Sequence, residues 1–128
     1  MFTLGQINNI HHRLGKQQTL HGYLRALNAI GIVKADSYLT DGHSEYFGVD
    51  GQKLIGPAAH QEFSIAGKSN REDFLKHLSL HEQGKTSYLE MSRGLAGSGI
   101  EKWSFDTSKM TIAYYDKAGN ELLVESIG

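Results

Sequence analysis

The chain has 128 residues, a formal net charge of −1 and no cysteine. This length is typical of one domain, which buries about two-thirds of its unfolded surface without disulfides or metals. The charge pattern shows no basic stripe for nucleic acid and no basic amphipathic segment for a membrane surface, and the missing cysteines exclude thiolate chemistry.

Two amphipathic helices are predicted at the start of the chain. Thr3 and Gln6 have the spacing of a capping box, and an apolar stripe follows up to Gly15, a residue suited to ending a helix. A second apolar stripe begins near Thr19 and is ended by Gly31. The periodicity therefore predicts two consecutive helices before the first strand.

After Gly31 the apolar period changes from that of a helix to that of a strand. The alternation predicts three strands, at residues 32–39, 44–49 and 53–55. Asp41-Gly42 is predicted to form a tight type I′ hairpin turn between the first two strands. After Gly56-Pro57 interrupts the third strand, pairing is expected to resume over Glu62–Ala66.

The second half of the chain repeats this order. Ser69–Glu72 and Ser87–Glu90 both have the form of a capping box, and each precedes a helical stripe. The first of these helices is predicted to run to about Gln83 and the second to Gly97 or Gly99. Strands are predicted to follow at residues 100–105, 110–115 and 121–127.

The two halves also share residues. When residues 31–55 are aligned with residues 99–123, an offset of 68, six of the 25 positions are identical. The identical pairs are Gly31/Gly99, Ile32/Ile100, Lys34/Lys102, Tyr46/Tyr114, Gly51/Gly119 and Leu54/Leu122. Unrelated positions match about one time in 16, so about one or two identities are expected by chance. Upstream, Tyr23-Leu24 aligns with Tyr88-Leu89 at an offset of 65, which predicts that three residues were gained or lost between the two blocks.

These observations predict an α+β fold built by internal duplication. Each half consists of a helix, a second helix and a three-stranded antiparallel meander, with pseudo-repeats at roughly residues 3–66 and 69–127. Because about 60 residues form a marginal core alone, the halves are expected to pair about a pseudo-twofold axis, with helices packed on antiparallel sheet. No linker-like segment separates the halves, so residues 1–128 are expected to form a single domain.

Two histidines, His77 and His81, stand four residues apart on a predicted helix, where both rings can reach one metal ion. The zincin pattern requires Glu directly after the first His, but Leu78 stands there, and no third ligand is signalled nearby. The interpretation that we favour is a half-exposed boundary face beside Phe74 and Leu78. No metal site is therefore predicted, and the two histidines stay candidates.

A second candidate is the group Asp41, His43 and Glu45. His43 and Glu45 lie two apart on a predicted strand and therefore share a face, as an acid–base or metal-binding pair requires. However, Asp41-Gly42 is also explained by turn formation, and the repeat-equivalent positions of His43 and Glu45 are Thr111 and Ala113. Only one half can carry such a site, so no catalytic or cofactor-binding residue is predicted.

Four blocks of the sequence resemble a known family. They are DGHSEYFG (41–48), HEQGKTSY (81–88), GIEKW (99–103) and YYDKAGNE (114–121). In these blocks the chain resembles a family of small enterobacterial proteins of unknown function (YbcV-like), which are often phage-associated and sometimes labelled "phage envelope protein". The resemblance spans nearly the whole chain and implies neither a catalytic residue nor a cofactor.

The sequence leaves two main hypotheses open. The first is a small cytoplasmic, non-catalytic binding or interaction protein that forms a homo-oligomer, because no coherent catalytic motif is present and edge strands can pair with another chain. Its expected partner is a second copy or another protein, and neither nucleic acid nor a membrane. The alternative is an enzyme or metal-dependent protein with a His/carboxylate site between the halves. A phage structural component is a third interpretation, which rests on the label alone.

Overall fold

The computed structural model describes residues 1–14 and 19–127 as four helices and one six-stranded sheet. The helices are α1 (Leu4–Leu14), α2 (Leu20–Ala29), α3 (Arg71–Glu82) and α4 (Tyr88–Gly97). The strands are β1 (Ile32–Tyr38), β2 (Ser44–Gly48), β3 (Lys53–Gly56), β4 (Ile100–Asp106), β5 (Thr111–Asp116) and β6 (Glu121–Ser126). The predicted α+β class is confirmed. The expected helix stop at Gly15 lies outside the described residues.

The six strands form one antiparallel sheet in the order β3-β2-β1-β4-β5-β6. Each half contributes one meander, and the two meanders join where β1 pairs with β4. At the centre of that pairing Asp36 lies opposite Ser104, and these two positions are themselves related by the offset of 68. A pseudo-twofold axis therefore passes between them, as the duplication predicts.

The repeat keeps one constant offset through its helices and its central strands. The bounds of α2 and of β1 become those of α4 and of β4 when 68 is added, and the sheet register slips at Ile32/Lys34 and again at Ile100/Lys102. The offset of 65 taken from the Tyr-Leu dipeptides is wrong. The buried residues of α2 are Tyr23, Leu24 and Leu27, and those of α4 include Met91, Ser92 and Leu95. These sets correspond at an offset of 68, so the dipeptide match is accidental.

Local capping explains where three of the helices begin. The Thr3 hydroxyl accepts from the Gln6 backbone while the Gln6 side chain accepts from the Thr3 backbone, and the box predicted at Ser87 is also complete. Helix α3 is different, because Asn70 rather than Ser69 caps it by accepting from the Asp73 N–H. The backbone N–H of Asn70 donates to a carbonyl at the end of α4 at 2.8 Å, and this contact fixes which residue becomes the cap.

Two predicted details of the first half are wrong. Strands β1 and β2 are joined by residues 39–43 rather than by a two-residue type I′ turn, since that turn needs two positive φ angles and only Gly42 has one. Glu62–Ala66 forms no strand. The Phe63 N–H donates to the Thr40 carbonyl at 2.6 Å, and the Ala66 N–H donates to the Ala96 carbonyl at 3.0 Å. These bonds tie the segment to the β1–β2 loop and to α4 instead of to the sheet.

One face of the sheet packs against the helices, and the other face is not covered by them. The buried apolar side chains form one core with members from both halves, among them Leu24, Leu27, Ile32, Phe74, Leu95 and Ile100. The uncovered face carries mainly polar and charged residues, including Lys34, Asp106 and Tyr115. Within residues 1–14 and 19–127, no helix is long and apolar enough to cross a membrane.

Gly31 and Gly99 occupy equivalent places in the two halves and provide a matched test of the packing. Both have a positive φ, +96° and +90°. An added Cβ at Gly31 meets no atom within 4 Å, whereas at Gly99 it lies 2.6 Å from the Ser69 Cα. We expect Gly31→Ala to lower the free energy of unfolding by about 1–2 kcal/mol and Gly99→Ala to lower it by a further 1–3 kcal/mol, roughly the cost of overpacking. Urea denaturation measures both losses, and equal losses would contradict the contact at Ser69.

Candidate functional site

His43 lies between two carboxylates at the sheet face that the helices leave uncovered. Its Nδ1 is 2.6 Å from Asp41 Oδ1, and its Nε2 is 3.3 Å from Glu45 Oε2. The backbone N–H of His43 also donates to Asp41 at 2.9 Å. The imidazole stacks on the Tyr38 ring, with the centroids 4.5 Å apart. The structure thus places the candidate residues His43 and Glu45 in direct contact.

The charges around His43 favour the protonated imidazole. Burial lowers the pKa of His43, but the hydrogen bonds to Asp41 and Glu45 outweigh burial and raise this pKa above its ordinary value. In turn, the backbone N–H and the ring of His43 hold the pKa of Asp41 below its usual range. Glu45 also forms an ion pair with Lys53 at 3.4 Å. Because each ring nitrogen contacts a carboxylate of the protein, the arrangement is suited to fixing the β1–β2 loop.

The structure gives His77 and His81 different neighbours. His77 Nε2 is 4.0 Å from Asp73 Oδ2, and its ring packs so closely on Gly94 of α4 that an added Cβ there would lie 2.5 Å from Nδ1. His81 Nδ1 is 3.1 Å from the Thr86 carbonyl. In the part of the chain that the structure describes, no group of three or more His, Cys, Asp or Glu side chains is placed to hold a metal ion.

A cavity of about 880 Å³ lies on the opposite side of the sheet, under the helices. Its floor is the sheet, and its walls come from the helices of both halves and from the segment that follows β3. Lining residues from these elements include Leu4, Tyr23, Tyr46, Pro57, Leu78 and Met91. Of the five candidate residues named from the sequence, His81 alone lines this cavity.

The position of the cavity follows from a difference between the two halves. Gly56, Ser44 and Ser37 are neighbours across β3, β2 and β1, and all three line the cavity. The residues at the corresponding places across β6, β5 and β4 are Glu125, Ile112 and Phe105. Small side chains in the first half therefore leave more space above the sheet than Ile112 and Phe105 leave in the second half, where both also line the cavity. The two halves share one scaffold because of the duplication. The cavity lies above the three adjacent strands on which the first half has smaller side chains than the second.

The walls of the cavity combine aromatic rings with a few hydrogen-bonding groups. Trp103 is 8% exposed, and its indole Nε1 is buried without a hydrogen-bond partner among the described residues. The hydroxyls of Ser37 and Ser44 are 3.3 Å apart. Four tyrosines also line the cavity, namely Tyr23, Tyr46, Tyr88 and Tyr114. Burial raises the pKa of each of these phenols, so the tyrosines are neutral hydrogen-bonding groups.

Sequence reasoning placed Tyr46, Trp103 and Tyr114 on predicted strands and missed the cavity. These residues are buried, and they also border the open space above the sheet. The signal that could have found the cavity is the occurrence of Ser37 and Ser44 at core-facing strand positions. Small polar residues at such positions leave volume and hydroxyl groups where a core requires apolar bulk.

The family model described as "Protein of unknown function (DUF1398)" matches residues 8–126. The match includes both halves, from within α1 to the end of β6. A search of curated proteins gives no match. Because the family description names no activity, the function has to be argued from the geometry.

The raised pKa of His43 predicts a pH-dependent contribution to stability. This contribution is fully present below pH 6.5, the ordinary pKa of the imidazole, and is lost as pH rises through the higher pKa of the folded state. We expect His43→Gln to lower the free energy of unfolding more at about pH 6 than at about pH 9. Urea denaturation at the two pH values measures this difference, with His21→Gln, at an exposed position of α2, as the control. An equal effect of His43→Gln at both pH values would contradict the assignment.

Proposed function

The chain belongs to the DUF1398 family of proteins of unknown function, and we propose that it is a non-catalytic binding protein whose cavity holds a small, mainly apolar molecule. The cavity is the observation that carries the proposal. Its volume of about 880 Å³ falls within the roughly 300–1,000 Å³ of small-molecule sites, which combine apolar and aromatic walls with a few placed polar groups.

The polar groups on the floor of the cavity support a ligand with a hydrogen-bond acceptor. Ser44, Ser37 and Trp103 are neighbours across β2, β1 and β4, so their polar atoms belong to one row. The Ser37 and Ser44 hydroxyls line the cavity and can donate to an acceptor atom of a bound molecule. The expected ligand is therefore an apolar body that carries at least one acceptor.

The catalytic alternative has weaker support. His43 and Glu45 lie on the other side of the sheet from the cavity, and the contacts of His43 with Asp41 and Glu45 occupy both ring nitrogens. His77 packs on a neighbouring helix, and His81, which does line the cavity, bonds to a backbone carbonyl. The cavity does bring His81 together with the carboxylates of Glu82 and Glu125, but in the described chain no group of three or more such side chains is placed to hold a metal ion.

A phage association is part of the proposal as well. It is supported by the four residue blocks that resemble YbcV-like proteins, and it does not enter the binding argument. That argument depends on the cavity and on the residues that line it.

The single tryptophan of the chain, Trp103, lines the cavity, so its fluorescence reports on ligand binding. We expect phenylbutanol, an apolar body with one hydroxyl, to change the Trp103 emission saturably. Ser37→Phe introduces the residue that the second half has at the equivalent place, Phe105, and should fill the floor. We expect this variant to bind phenylbutanol at least about tenfold more weakly, a loss of about 1.4 kcal/mol.

The matched control for this experiment is Thr111→Phe, which adds the same ring on the uncovered face of the sheet. Thr111→Phe should bind phenylbutanol as the unchanged protein does. A non-saturable response of the unchanged protein, or equal affinities for it and for Ser37→Phe, would overturn the proposed function.

We also propose that two copies associate through β3. This strand ends the sheet, and its neighbourhood exposes apolar side chains, with Ile55 58% and Val49 76% exposed. Such an edge is a template for pairing with another chain. At the other end of the sheet, an Arg71 side chain donates to the Leu122 carbonyl of β6 and so occupies part of that edge.

Self-association through β3 is tested by sedimentation velocity at several protein concentrations. We expect the unchanged protein to sediment as a dimer and Ile55→Lys as a monomer, because a charge on this edge opposes pairing. Leu75→Lys, at a 38% exposed position of α3, is the control and should remain dimeric. A monomer at all concentrations of the unchanged protein would refute the proposal.

A further inference from the structure

The charged residues around the cavity restrict the charge of its ligand. Among the described residues that line the cavity, Glu82 and Glu125 are carboxylates and none is Lys or Arg. An anionic ligand would therefore find no permanent counter-charge among these residues and would be repelled by both carboxylates. The histidines that line the cavity, His11 and His81, carry a full charge only when protonated.

Glu82 and Glu125 both line the end of the cavity that belongs to the second half. Glu125 lies beside Ile112 in the β5–β6 pairing, and Glu82 is the last residue of α3. Burial raises the pKa of Glu125, and the charge of Glu82 raises it further. In the described chain neither carboxylate takes part in an ion pair. A positive group between the two carboxylates would relieve this repulsion.

Aromatic rings provide a second and independent attraction for positive charge. Tyr88 and Trp103 both line the cavity, with centroids 6.3 Å apart and ring planes at 88° to each other. Tyr46 and Tyr114 border the same space. The faces of aromatic rings attract ammonium groups, and the attraction increases when water is excluded.

We infer that the ligand of this cavity is an organic cation, an amine carried on an apolar body, whose positive group lies against Glu82 and Glu125. This inference deepens the proposed function and rests on it. The apolar body occupies the neighbouring part of the cavity, beside Ile112 and Tyr114. The cavity then discriminates among molecules of equal shape by their charge.

Three probes of matched shape test the inference, namely phenylbutylamine, phenylbutanol and phenylbutyrate. Each is titrated into the full chain while the fluorescence of Trp103 is recorded. We expect the amine to bind about fivefold more tightly than the alcohol, which is the upper end of what a partly exposed ion pair gives, and the carboxylate to bind most weakly. The preference should decrease as salt is added, because salt screens the charges.

Glu125→Gln is the decisive variant. It should abolish the preference for the amine over the alcohol, because it removes the carboxylate that attracts the ammonium group. Glu121→Gln removes the same charge from the same strand but on the uncovered face, and it should keep the preference. If no probe binds, the proposed function fails and the inference fails with it. If the alcohol binds as tightly as the amine, or if Glu125→Gln keeps the preference, the inference alone is overturned.

Discussion

The arrangement of the two halves depends on the ion pairs that the buried carboxylate of Asp36 forms. Asp36 is 2% exposed at the centre of the β1–β4 pairing, and its Oδ2 lies 3.3 Å from Lys102 Nζ and 3.7 Å from Lys34 Nζ. The two lysines are repeat-equivalent, so one anion near the pseudo-twofold axis serves a cation from each half. A buried carboxylate without such partners costs several kcal/mol. A slip of β1 by one residue would turn Asp36 into the apolar core, so this cluster specifies the register that joins the halves.

That register also determines what lies beneath the helices. It places Ser37 beside Trp103, and the β1–β2 pairing places Ser44 on the other side of Ser37. The floor of the cavity is thus assembled from strands of both halves. Where the halves kept similar volume they form a shared core, and where the first half carries serine and glycine they leave space. The cavity therefore results from the differences between the two halves, whereas the scaffold results from their similarity.

The sequence predicts those parts of this structure that local chemistry determines. Thr3 with Gln6 and Ser87 with Glu90 satisfy each other within one helical turn, so their capping boxes are visible in the sequence. The choice of Asn70 over Ser69 as a cap depends on a bond to the end of α4, which is a tertiary contact. Glu62–Ala66 forms no strand because its backbone bonds to the Thr40 and Ala96 carbonyls, and these too are tertiary contacts. The contact of His43 with Glu45 could be predicted from their spacing of two, but the cavity could not, because it needs three residues from three strands in one register.

Two of the asymmetric features of the molecule are adjacent in the sequence. Asp36, where the second half has Ser104, fixes the pairing on the uncovered face, and Ser37, where the second half has Phe105, opens the cavity on the other. Successive residues of a strand point to opposite faces of the sheet, so these neighbours act on opposite sides of β1. Any change of register between β1 and β4 that displaced Asp36 from Lys102 would also remove Ser37 from its place beside Trp103. One strand, β1, therefore carries both the ion pair that links the two halves and the small residue beside the cavity.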